Sequence, residues 1–93
     1  MNKVKAKLVL VEELSKYRAL PYATLKGMVG QVDAYEVTTP DGLAYQIEVQ
    51  TMWDGKPDAA IRVIGAIDDG GWAAFSPLSD DFIIMPNGTF LDE

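Results

Sequence analysis

The chain has no cysteine and no histidine. Without cysteine there are no disulfides, thiolate metal sites or cysteine nucleophiles. Without histidine it lacks the commonest metal ligand and the side chain best suited to moving protons near neutral pH. Ser-His-Asp and Cys-His arrangements are excluded, and a zinc site would have only carboxylates to draw on. Positive charge is scarce: eight Lys and Arg stand against fourteen Asp and Glu, a formal net charge of −6. Long apolar runs are missing as well. Leu8-Val9-Leu10-Val11 ends at Glu12-Glu13, short of the about 7–15 apolar residues of a signal peptide and the about 20 of a membrane span. A cytoplasmic protein is expected, with no membrane partner.

What is present fits one small domain spanning 1–93, with 48% apolar and 24% charged residues, enough to fold alone with a thin margin. The charge is divided by position. Residues 1–30 carry Lys3, Lys5, Lys7, Lys16, Arg18 and Lys26 against Glu12 and Glu13. Residues 31–93 carry only Lys56 and Arg62 against the remaining twelve carboxylates. Opposed blocks of this kind dock on one another or present two electrostatic faces.

The division coincides with a change of apolar period at Gly30. Before it, Lys3-Val4-Lys5-Ala6-Lys7-Leu8 alternates like a strand, while Val4, Leu8, Val11 and Leu14 recur at helical spacing, with Leu10, Leu14 and Tyr17 one position round. The helix-forming run Glu12–Lys16 tips the balance to a helix over 3–18 whose apolar face has a sheet to cover. Pro21 suits the start of a second, short helix with Tyr22, Leu25 and Met28 or Val29 on one face and Gly30 ending it. After Gly30 the period is two. Strands are expected at Val32–Thr39, at 43–53 with Leu43, Tyr45, Ile47, Val49, Thr51 and Trp53 on one face, and at 61–68 with Ile61, Val63, Gly65 and Ile67 inward. Turns at Pro40-Asp41-Gly42, Asp54–Asp58 and Asp68–Gly71 separate them. A fourth strand is expected at Trp72–Ser76, and a short fifth strand or buried segment at Phe82–Met85. The fold class is α+β: two N-terminal helices packed on one face of an antiparallel meander of four to five strands.

Candidate sites are few. Asp68, Asp69, Asp80 and Asp81 are oxygen ligands that Ca²⁺ or Mg²⁺ would accept, but Asp and Gly are also what tight turns require, and no metal or other cofactor is expected. Glu48 and Arg62 lie on the outer sheet face, where an acid–cation pair most often supports the sheet. The register of the third hairpin is open. A two-residue loop pairs Ile67 with Trp72 and turns Trp72 inward and Phe75 outward; a three-residue loop pairs Gly65 with Phe75 and leaves Trp72 outside. Either way a large aromatic joins Ile64, Ala66 and Met52 on the outer face, to be covered by residues 78–93, a second subunit or a partner. Nucleic acid is not an expected partner, given the acidic domain and no phosphate-binding loop.

From the second strand onward the chain resembles a group of small uncharacterised bacterial proteins. The resemblance rests on Tyr45-Gln46-Ile47-Glu48-Val49-Gln50, Trp53-Asp54-Gly55-Lys56-Pro57, Arg62–Gly71, Ala74-Phe75-Ser76-Pro77-Leu78 and Asp81-Phe82-Ile83. It implies a stand-alone domain of shared fold and lends no activity or catalytic residues. The expected function is non-catalytic: a domain that binds a protein partner or forms a homodimer, through Ile64, Trp72, Phe75 and Met52. The alternative is a small-ligand or carbohydrate-binding module using Trp53 and Trp72 beside Glu48 and Arg62. An enzyme with Glu48, Asp68 or Asp69 as acid/base is third.

Overall fold

A computed structural model of the protein describes residues 1–70 and 77–91. Helix α1 spans Lys3–Arg18 and helix α2 spans Tyr22–Gly27. Strands β1 (Val32–Thr38), β2 (Ala44–Trp53), β3 (Ile61–Asp68) and β4 (Leu78–Ile84) follow. The strands form an antiparallel sheet in the order β1-β2-β3-β4. The fold is α+β, with the helices on one sheet face.

Each helix has a local reason to begin where it does. The Asn2 side chain caps α1 by accepting the Lys5 N–H at 3.1 Å, and Lys16 and Arg18 in the last turn suit the negative end of the helix dipole. Pro21 caps α2 in an extended conformation, and Gly30 takes φ +91° to release the chain into β1. Period-two burial follows the expected phase in β2 and β3. Tyr45, Ile47, Val49 and Thr51 point inward beside Ile61, Val63, Gly65 and Ile67.

The core is a two-layer contact. Ala6, Leu10, Leu14 and Tyr17 of α1 and Leu25 of α2 pack on that inner face with Phe82 and Ile84 of β4. At the centre, Gly65 lets the helix close on the sheet. A Cβ there would lie 2.9 Å from Leu10 Cδ1 and 3.0 Å from Leu14 Cδ2, inside normal contact distance. The basic and acidic blocks dock across this contact: Lys5 pairs with Asp41 (3.2 Å), Lys7 with Asp80 (3.6 Å) and Lys26 with Asp58 (2.6 Å). These exposed pairs orient the layers more than they stabilise them.

Four sequence expectations need correction. The inward face of α1 is Ala6-Leu10-Leu14-Tyr17, whereas Val4, Leu8 and Val11 point to solvent at 72%, 65% and 46% exposure. Leu43 is exposed because it still belongs to the turn, and β2 begins at Ala44. The free edge of β3 pairs with Leu78–Ile84, not with a tight-hairpin partner: Ile67 faces Leu78 and Gly65 faces Asp80. The two pairings expected for these positions, Ile67–Trp72 and Gly65–Phe75, involve residues outside the described ones. Residues 78–84 thus extend the sheet and do not cover its outer face. The expected strand at Trp72–Ser76, with Trp72 and Phe75, lies outside the described residues.

Filling the Gly65 notch should push the layers apart. Gly65→Ala is expected to cost about 1 kcal/mol and Gly65→Val about 3 kcal/mol, read as lowered denaturation midpoints with no change in the slope of unfolding.

Candidate functional site

The sequence-expected site residues separate onto different surfaces. Trp53 lies opposite Ile61 and packs against the core, whereas Glu48 and Arg62 project from the outer face. A stacking platform with Glu48 and Arg62 beside it is therefore not assembled among the described residues. Arg62 lies opposite Met52, and Glu48 lies four residues back along β2, opposite Ala34 and Ala66. The guanidinium spans two other carboxylates, Asp54 at 2.7 Å and Asp81 at 2.5 Å, and Asp54 in particular holds its pKa above the ordinary value. Glu48 instead accepts the Gln50 amide at 3.1 Å.

The four aspartates considered for metal binding also disperse into local roles. Asp68 accepts the Gly70 N–H at 2.8 Å and closes a turn. Asp69 lies 3.5 Å from the Met1 amino group. Asp80 faces Lys7 on the helix side and Asp81 faces Arg62 on the outer side, as alternation along β4 requires. No group of three potential metal-ligating residues is assembled among the described residues.

Glu48 and Asp68 do share a concavity on the outer face. It measures about 440 Å³ and is bordered by Glu36, Gln46, Glu48, Asp68 and Pro77. Asp69 does not line it. The Gln46 amide donates to Glu36 at 2.9 Å, so part of this acidic rim is already hydrogen-bonded within the sheet. Ile64 and Met52 on the same face are half-buried.

A second polar cluster, unanticipated from sequence, joins α1 to the edge strand β1. The Tyr17 hydroxyl donates to Asp33 at 2.8 Å, and Lys16 Nζ donates to both oxygens of buried Glu13 at 2.9 and 3.1 Å. The Tyr35 hydroxyl donates to Glu13 and stands beside Tyr17. These side chains and Leu20 border an open cavity of about 380 Å³. Burial first, then the hydrogen bond to Asp33, pushes the Tyr17 phenol well above its usual range. Burial, then the bond to Glu13, pushes Tyr35 up to about 12. The cluster is a closed set: each group named has its partner within it. Its clearest sequence signal is Asp33, an acid at an inward position of a strand.

The surface that stands out is the other side of α1. Val4, Leu8 and Val11 occupy positions i, i+4 and i+7, on the side away from Ala6, Leu10 and Leu14. They form a row of large apolar side chains in water. Lys3, Lys7 and Leu78 border its N-terminal part. Comparisons with protein-family models, curated proteins and solved structures find no match for this chain. No helix among the described residues is long and apolar enough to cross a membrane.

The phenol cluster makes stability fall in strong alkali. The folded state keeps protons on Tyr17 and Tyr35 that the unfolded chain releases above about pH 10, so this contribution is whole below pH 10 and shrinks as pH rises toward 12. Tyr35→Phe should cost about 1 kcal/mol at pH 7. It should also remove a late component from the absorbance titration at 295 nm.

Proposed function

We propose that the protein is a non-catalytic interaction domain that binds a protein partner or a second copy of itself. The observation that carries this reading is the exposed Val4-Leu8-Val11 row on α1. Three large apolar side chains on one helix face lose hydrophobic stabilisation while they remain in water, at roughly 25 cal/mol per Å² of apolar surface. The core does not need them, because α1 already buries Ala6, Leu10, Leu14 and Tyr17. A helix apolar on two opposite sides has one side for its own fold and one for something else.

The outer sheet face takes second place as a contact surface. Its central residues Ile64 and Met52 are half-buried, and its groove is rimmed by carboxylates, which interface centres tend to exclude. An acid/base enzyme reading would use Glu48 and Asp68 in that groove. It is weaker because Glu48 is bonded to Gln50 and Asp68 closes a turn. A ligand module built on Trp53 loses its geometry, since Trp53 packs on the other face.

A photo-crosslinking amino acid placed at Leu8 in the producing cell tests the reading, with the exposed turn position Lys56 as control. The expected result is one discrete product from position 8, of a dimer's mass or a larger one, and none from position 56. Indistinguishable smears from both positions would contradict it. Leu8→Ser should leave the unfolding free energy within about 0.5 kcal/mol of the parent, as for an exposed site.

A further inference from the structure

The interaction reading leaves the occupant of the helix row open. Resting on that reading, we propose that the occupant is the same row of a second copy, in an antiparallel α1–α1 pair with its two-fold axis at Leu8. The row is nearly symmetric end for end: Val4 lies one turn before Leu8 and Val11 one turn after it. Turning a copy round sets Leu8 against Leu8 and each Val4 beside the other chain's Val11, the self-complementarity that a two-fold interface demands.

The flanking charges select the antiparallel direction. Lys5 and Glu12 stand two turns apart on the same flank of the row, so a two-fold rotation brings each Lys5 against the other copy's Glu12. A parallel two-fold pair would set this flank against the opposite one, bringing Lys5 against Lys3 and Lys7 of the other copy and leaving Glu12 without a cation. Glu12 has no ion-pair partner among the described residues, and Lys5 is 57% exposed, its pair to Asp41 being a surface one. On the opposite flank Lys7 approaches its own counterpart, but Asp80 of the same chain already answers that charge at 3.6 Å. Ser15, the next residue along the row, is small enough for the helix ends to approach. Two helices of this length, about 24 Å, bury less than the about 1,200 Å² of a standard interface, so a dimer with Kd of about 10–100 µM is expected.

Sedimentation velocity at loading concentrations from about 20 to 500 µM in 0.15 M salt, where long-range repulsion between two acidic chains is screened, tests the proposal. The wild type should pass from monomer to dimer and stop there. Leu8→Glu should remain monomeric across the range. Lys5→Glu and Glu12→Lys should each weaken the dimer about fivefold, because each reversal acts twice, and the double variant should return to within about twofold of wild type. Denaturation midpoints of all variants control for folding. A wild type that stays monomeric overturns the proposal, as does a double variant no better than the single ones. A species that grows without limit also overturns it, and would indicate helix row against outer sheet face in an open chain. A monomer yielding a position-8 crosslink of larger, non-dimer mass would overturn the self-pairing while the interaction reading stands with a different partner.

Discussion

Helix and sheet meet at a place where β3 has no side chain. Leu10 and Leu14 fill the space a Cβ on Gly65 would take, and that contact fixes both the separation of the layers and the rotation of α1 about its axis. Once Leu10 and Leu14 face Gly65, Ala6 and Tyr17 must also face the sheet, and Val4, Leu8 and Val11 must face away. The small Ala6 lets the N-terminal turn lie close, with no solvent exposure left. The larger Tyr17 reaches sideways to Asp33 on β1. The exposed row thus follows from the packing of the opposite side.

The remaining contacts hold the helix in this position from both sides. Toward β1, Glu13, Lys16, Tyr17, Asp33 and Tyr35 close a hydrogen-bonded set at the edge of the core, where an unpaired polar group would cost about 1–3 kcal/mol. Toward β4, the Arg18 guanidinium lies 4.8 Å from the Phe82 ring centre and 5.1 Å from that of Phe90. The two rings meet edge to face at 5.7 Å. Basic residues of α1 reach acids on both margins of the sheet, Asp41 and Asp80. Much of the basic block is thereby turned to internal docking, while Val4, Leu8 and Val11 stay exposed on the other side of the helix.

Much of this was legible in the sequence where a local rule decides the outcome. Strict alternation set the faces of β2 and β3, and Gly30 and Gly42 marked positions of positive φ. What was not legible depends on choices between equivalent local patterns. α1 carries two apolar arcs, and only the Gly65 notch on a distant strand decides which is inside. Ser79-Asp80-Asp81 reads as a turn by residue preference, yet it lies in β4 because Lys7 and Arg62 meet its carboxylates on either face. Asp33 and Tyr35 could be recognised as half of a polar cluster only once Glu13 and Tyr17 were placed above them. The pairing of Arg62 with Asp54 and Asp81, and not with Glu48, likewise comes from register.

We propose the helix row, and not the outer sheet face, as the contact surface. An amide NMR dilution series from about 500 to 20 µM at 0.15 M salt tests it most directly. The account predicts concentration-dependent shifts confined to α1 positions on the row and its flanks, namely Val4, Lys5, Leu8, Val11 and Glu12, with Glu48, Ile64 and Asp81 unmoved. Shifts centred on the sheet positions, with the α1 amides constant, would contradict it.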